Sequence, residues 1–325
     1  MWNDLIEFIN AHQRFQISTH IHPDGDAIGA QLALGLLLEE LGKSALLINQ
    51  DPVPQVCSFL NSDGRVLAYQ PERDDAALAA CDAAFVVDVG TLERTGRVGD
   101  VVRDRKLPVA CIDHHMTNTA FAAVNVVDPD APSTSSLVLD LIRRMGRTPS
   151  PRMAEALFVG LLTDTGWLRF ANATPGAFRD AGDLVAAGAY PPRIYELVYE
   201  NMTWSHSRLL ARTLATLKSD SDGRIAYVTI TRAMFEETGA ADEEVEGFVD
   251  ELRTLGGVEI ILMFRDRLEG GTRVSLRAKH DLDVASIAKQ FGGGGHRRAA
   301  GIILDQPLDV IIPPILAAAR ELLKS

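Results

Sequence analysis

The chain has 325 residues, enough for two domains that each bury a sizeable core. With 46% apolar and 23% charged residues it has an ordinary water-soluble composition, and no apolar run is long enough to span a bilayer. A formal charge of −12 argues against sequence-blind binding of long duplex nucleic acid, which relies on many Lys and Arg contacts to phosphate. A short anionic ligand held at a local positive site or by metals remains compatible with it.

The opening residues, MWNDLIEFINAH, are acidic and lack the basic start and small-residue cleavage site of a secretory signal. Cys57, Cys81 and Cys111 are odd in number and widely spaced, so they suggest neither a disulfide framework nor a CxxC zinc pattern. These features predict a cytoplasmic protein without a membrane partner.

In chain order, residues 14–19 read as a buried strand ending at His20, followed from Asp26 by an apolar helical pattern that stops at Gly42. Strands are predicted at 44–49, 83–89 and 107–112, with a short helix at 54–60 and another at 74–80. Helices are predicted at 133–145, 151–162 and 174–187, the first with Ser and Thr at its N-cap and the second with Pro151 in its first turn. Apolar runs alternating with helices predict an α/β domain, a parallel sheet with helices on both faces.

Gly188, Pro191 and Pro192 mark a boundary, giving domains at 1–187 and 209–325 with a linker at 188–208. The second half reads helix, strand (224–231), helix (242–255), strand pair (258–267 and 272–279), helix, glycine loop, strand, helix. The LEGG turn between the paired strands predicts a hairpin, and hence a smaller α+β domain with a mixed sheet.

The chemistry concentrates where these elements end. The first strand leads into His20, Asp24 and Asp26 within THIHPDGDAIGA; the next apolar runs lead to Asp88 and to Asp113, His114 and His115; Asp164 follows the helix through Gly160. Ligands of an open parallel sheet bind outside the carboxyl ends of its strands, so these residues can converge. Any one Asp here reads equally well as a turn former or helix cap. Four separate element ends supplying only carboxylates and imidazoles favour a metal site, and without thiolates the set suits manganese, cobalt or iron better than structural zinc.

Two cations about 3.5–4 Å apart can polarise a phosphoryl group, generate hydroxide near neutral pH and steady the attacking and leaving oxygens. The expected division is one cation on His20, Asp24 and Asp88 and the other on Asp26, His114 and Asp164, with Asp88 bridging. Asp113 is expected to orient an imidazole, and His115 to contact phosphate or help protonate the leaving group.

A second constellation lies in the C-terminal half. Between Gly271 and Ala300 six Lys or Arg face two Asp, an island of positive charge in an acidic chain. Within it GGGGHRRAAG supplies four consecutive glycines, whose unhindered amides can form an anion-binding concavity beside His296, Arg297 and Arg298. A flexible hairpin tip is the plainer reading of four glycines. The neighbouring Arg273, Arg277 and Lys279 favour a phosphate or nucleotide clamp.

Taken together, HIHPDGDAIGA, VVDVG, the DHH at Asp113 to His115, LLTDTG and VSLRAKHDLDVASIAKQFGGGGHRRAAG resemble the DHH phosphoesterase family with its DHH-associated C-terminal domain. The compact two-domain form is similar to the oligoribonuclease, or nanoRNase, group, which also acts on 3′-phosphoadenosine 5′-phosphate. The resemblance implies a hydrolase with two divalent cations, manganese foremost, acting on short single-stranded RNA or a nucleotide, and it favours a homodimer. It carries the ligand role to His20, Asp24, Asp26, Asp88, His114 and Asp164, the phosphate contact to His115, and the substrate clamp to His296, Gly294 and Gly295, with Arg277 as companion. Ala30 departs from it, since many relatives have Ser there; that removes a hydroxyl near a helix start but no ligand. The competing expectations are a phosphodiesterase for cyclic di-adenylate or linear di-adenylate, a pyrophosphatase, which would lack the GGGGH domain, and an RNA-binding protein with a relic site, which should lack ligands that are present here.

Overall fold

Phe15 and Ile17 on one side, and Gln16 and Ser18 on the other, are all closed to solvent, so the first strand, β1 (Arg14–Ser18), runs through a sheet covered on both faces. The computed structural model describes residues 1–245 and 247–324, which form two units, Met1–Asn201 and Met202–Ser325.

In the first unit, β1 is joined by β2 (Ser44–Asn49), β3 (Val66–Ala68), β4 (Ala83–Val87), β5 (Val109–Asp113) and β6 (Val124–Val127). The order is β3-β2-β1-β4-β5-β6 and every pairing is parallel. Strand order reverses at β1 and β4, and at such a switch point a crevice opens beyond the carboxyl ends. The helices are α1 (Trp2–Ala11), α2 (Gly25–Glu40), α3 (Pro71–Ala79), α4 (Arg97–Asp104), α5 (Thr134–Arg144), α6 (Pro151–Asp164), α7 (Pro175–Ala186) and α8 (Pro191–Tyr199). One sheet face, with Phe15, Phe85 and Ile112, packs on α1, α2, α5 and α6. The other, with Ile48, packs on Leu78 of α3 and Val98 of α4.

Thirteen of the 16 residues of α2 are buried, which makes it a core helix rather than a half-exposed one. It crosses α6 almost backbone to backbone: a Cβ on Gly29 would stand 2.3 Å from the carbonyl oxygen of Ala156. That close approach brings the start of α2, with Asp26, to the end of α6, with Asp164.

In the second unit the elements are α9 (Trp204–Leu214), β7 (Lys218–Asp220), β8 (Ile225–Ile230), α10 (Arg232–Thr238), α11 (Phe248–Glu251), β9 (Ile260–Asp266), β10 (Thr272–Ala278), α12 (Val284–Gln290), β11 (Gly294–His296), β12 (Ala299–Leu304) and α13 (Leu308–Leu322). The sheet order is β11-β12-β10-β9-β8-β7, with β8–β9 parallel and the other pairings antiparallel, so the sheet is mixed. Val274 and Leu276 face Ile287 of α12 and Ile315 of α13, while Ile261 and Met263 of the opposite face pack with Phe235 and Phe248.

Three local expectations change. The helix expected over 242–255 is a 3₁₀ turn (Asp242–Val245), the single-turn α11 and a second 3₁₀ turn (Leu252–Thr254), with Gly247 left-handed at φ 85° between them. The glycine loop contains an edge strand, β11. The stretch 188–208 carries α8 and the first residues of α9, because paired prolines open a helix well: their fixed φ suits its first turn, where amide donors have no partner anyway. Among the described residues no helix is long and apolar enough to cross a membrane.

Candidate metal centre

Beyond β1, the His20 Nδ1 lies 2.9 Å from the carbonyl of Ile21; a carbonyl can only accept, so this nitrogen carries the proton and Nε2 is left as the basic atom, 3.5 Å from Asp88. Asp24 caps α2, its Oδ1 accepting from the amides of Asp26 and Ala27 at 3.0 Å each. The cap and the ligand readings of Asp24 are therefore compatible, since capping occupies one oxygen only.

Asp26 is buried, and both its oxygens accept from the start of α5: Oδ2 from the Thr134 amide at 2.6 Å and Oδ1 from the Ser135 amide at 2.9 Å. The positive end of the helix dipole thus faces this carboxylate. Asp88 stands just past β4 with φ 58°, a left-handed conformation that costs a residue with a Cβ about 1–2 kcal/mol. The Thr134 hydroxyl donates to its Oδ1 at 2.8 Å.

After β5, the His114 Nε2 lies 3.4 Å from Asp164 and 3.7 Å from Asp88, while its Nδ1 faces the carbonyl of Ala131 at 3.3 Å. His115 packs edge-on against it, with ring centres 4.9 Å apart. The His115 Nδ1 contacts Oδ1 of fully buried Asp113 at 2.7 Å, and Asn118 donates to the other Asp113 oxygen, also at 2.7 Å.

Ligand atoms of three groups gather within 4.8 Å: His20, Asp24 and Asp88; Asp26, His114 and Asp164; and Asp88, His114 and His115. Asp88 belongs to two of them. The three cysteines are buried free thiols outside these groups, with burial raising Cys57 and Cys111 to about 12 and Cys81 to about 11. The donor set is all oxygen and imidazole nitrogen, which fits divalent manganese, cobalt or iron.

Charge explains why such a cluster needs cations. Burial, then the charges of Asp88 and Asp164, push Asp26 well above the usual carboxylate range. Burial is also the first cause that lifts Asp164 to about 6, with His114 pulling the other way and Asp88 pushing further up. Burial acts on Asp88 in the same sense, yet the imidazoles of His20, His115 and His114 outweigh it and hold this carboxylate below its ordinary value. The His115 ring is raised first by its hydrogen bond to Asp113. His20 is raised because contacts with Asp88 and Ile21 overcome the opposing effect of burial.

Nothing in the sequence singles out Thr134, Ser135 and Asn118. PSTSS reads as a helix cap, and nothing local indicates that the start of α5 meets carboxylates more than 40 positions away.

The remaining candidates sit in the second unit. His296 pairs with Ala299 and Ala299 with Arg277, so these residues form one row across β11, β12 and β10. Gly295 has φ 140°, and a Cβ there would stand 2.5 Å from the Ala299 carbonyl oxygen, so the edge strand requires glycine. Arg297 and Arg298 both reach Asp281, so part of the expected positive charge is already engaged.

Residues 14–161 match the model of the DHH family, N-terminal domain, and residues 222–325 match the DHHA1 domain. The bifunctional oligoribonuclease and PAP phosphatase NrnA of Thermus thermophilus is 34% identical over 306 residues, covering 94% of this chain and 89% of its own length. The protein of the same name from Bacillus subtilis is 26% identical, covering 93% of this chain and 92% of its own. Among solved structures, an exopolyphosphatase-related protein from Bacteroides fragilis superposes with a TM-score of 0.92 at 26% identity, covering 100% of this chain and 97% of its own.

Proposed function

Because the chain belongs to the DHH family, with a DHHA1 domain, and is a metal-dependent phosphoesterase, we propose that it degrades very short oligoribonucleotides to mononucleotides and dephosphorylates 3′-phosphoadenosine 5′-phosphate. The convergence of His20, Asp24 and Asp88 into one group and of Asp26, His114 and Asp164 into another, with Asp88 3.7 Å from His114, carries this reading, together with relatives named for both activities. When bound, two divalent cations, manganese foremost, supply Lewis acidity to the phosphoryl oxygens and activate water.

His20, Asp24 and Asp88 would hold one cation, and Asp26, His114 and Asp164 the other. The chain's own part is orientation and proton control. Asp24 and the start of α5 fix the carboxylates, and His20 presents Nε2 because Nδ1 is bound to Ile21. His115, kept protonated by Asp113, faces the phosphate and supplies a proton to the departing oxygen. In the DHHA1 domain, His296 and Arg277, with the small-residue surface of Gly294 and Gly295, supply contacts to the nucleotide. A substrate of a few nucleotides needs only a few such cations, which suits a chain of net charge −12. A cytoplasmic homodimer completes the reading.

Turnover of an RNA ladder of two to seven nucleotides, beside 3′-phosphoadenosine 5′-phosphate and cyclic di-adenylate, tests it. Preferential cleavage of the shortest RNAs is expected. A large preference for the cyclic dinucleotide would overturn the substrate assignment.

A further inference from the structure

Asp164 ends α6, and the chain then makes an unusual turn: Gly166, Trp167 and Leu168 are left-handed in succession, at φ 55°, 58° and 59°. Neither Trp nor Leu adopts that conformation readily, and strain of this kind collects where a side chain must be held in a set position. Here it presents the indole of Trp167 to two tyrosines of α8. Its ring centre lies 4.9 Å from that of Tyr195 and 5.6 Å from that of Tyr199, both edge-on, and the two tyrosine rings stack on each other 5.3 Å apart at 29°.

Trp167 is partly buried against the core of the first unit, while the two tyrosines reach solvent. Tyr195 is 44% exposed and Tyr199 37%, so ring surface faces solvent. Arg169, exposed and two residues past Trp167, donates from Nε to the Gly166 carbonyl at 2.7 Å, and its charge, with the Trp167 indole, opposes the burial that raises the Tyr199 hydroxyl. Exposed ring faces beside a cation match a nucleoside phosphate: base on the rings, phosphate on the guanidinium.

Two routes tie the cluster to the metal centre. Along the chain, Trp167 follows Asp164 by three residues. Through space, α8 packs on the 3₁₀ turn Gln55–Asn61, and that turn packs on α2. The Asp24 charge adds to the burial that raises the Cys57 thiol of this turn, and Cys57 in turn acts on Tyr199.

We infer that Trp167, Tyr195 and Tyr199 form a base-stacking platform at the rim of the metal centre, which takes the nucleobase next to the scissile phosphate with Arg169 on a neighbouring phosphate. This rests on the proposed action on short RNA and adds a base subsite within the catalytic unit. It predicts a preference for substrates with a base at that position over those with a bare ribose.

The test is binding of a dinucleotide containing 2-aminopurine to the full chain in calcium, read by the quenching that stacking causes, with hydrolysis in manganese measured in parallel. Strong quenching by wild type is expected, with binding weakened about tenfold in Tyr195→Leu and restored in Tyr195→Phe, which keeps the ring. An abasic analogue should bind wild type and Tyr195→Leu alike. Binding without quenching, no binding, or equal affinity of both variants overturns the platform. So does a change in Tyr195→Leu confined to sedimentation, which would make the tyrosines a contact between two copies of the chain. Quenched binding without hydrolysis leaves the platform standing and overturns the substrate reading alone.

Discussion

Thr134 touches two carboxylates of the centre: its hydroxyl donates to Asp88 at 2.8 Å and its amide to Asp26 at 2.6 Å. The first residue of α5 therefore fixes two groups that arrive from β4 and α2, and it does so with short, buried hydrogen bonds. Thr134→Val keeps the shape and the amide but removes the hydroxyl. Such outer partners are worth roughly 10–100-fold in metal affinity or activity, so manganese should bind that much more weakly, by calorimetry on chelated protein. Thr134→Ser should restore most of the loss, and a Val variant with unchanged affinity would remove Thr134 from the account.

Stability should depend on pH in opposite ways with and without metal. Asp164, raised to about 6, and Asp26, raised by burial and by the charges of Asp88 and Asp164, bind protons in the folded state that the unfolded chain has released near pH 4. Where the folded state holds more protons, stability falls as pH rises, so the chelated protein should lose thermal stability between pH 4 and 6. The raised His20 and His115 continue that loss above pH 6.5. Metal binding needs deprotonated ligands, so the added stability in manganese should grow over the same range. Asp164→Asn should flatten the metal-free slope; an unchanged slope would contradict the assignment.

Asp113 holds the proton on His115 through a 2.7 Å hydrogen bond. If His115 acts as the acid, rate falls as pH rises through its raised pKa. Asp113→Asn weakens that support, so the basic limb of the rate profile should move to lower pH, with kcat down about 10–100-fold. A uniform loss of rate with an unmoved limb would reduce Asp113 to a packing role.

In the DHHA1 domain, binding and chemistry should separate. Arg277→Ala or His296→Ala should raise KM for a dinucleotide about tenfold, as loss of a charge-assisted contact does, and leave kcat within a few-fold. Gly295→Ala should do the same, because its Cβ would strike the carbonyl of Ala299 at 2.5 Å and displace the strand bearing His296. A fall in kcat with unchanged KM would place these residues elsewhere in the mechanism.

What was legible in the sequence was what single residues and short periods encode. Apolar runs such as 45–48 and 83–87 have the continuous apolar character of parallel strands, and carboxylates and imidazoles near strand ends are visible because few other reasons gather them there. The four-residue β6 and three-residue β3 are too short for a period to stand out. The span 242–255 has helical composition, but Gly247 takes a left-handed conformation that separates the first 3₁₀ turn from α11. Thr134 stayed invisible for a different reason. Its partners are set by the packing of α5 on α2 and β4, a tertiary fact with no local trace. The Trp167 platform likewise depends on α8, which lay inside the stretch read as linker.

Asp88 is the residue proposed to join two cations into one hydrolytic centre. The direct measurement is manganese titration of chelated protein, following bound metal and diadenylate turnover together, for wild type and Asp88→Asn. Two manganese per chain are expected, with turnover that rises with the second and a loss of about a thousandfold or more in Asp88→Asn with metal binding impaired. Turnover that survives complete chelation, or an Asp88→Asn variant with wild-type rate, would contradict it.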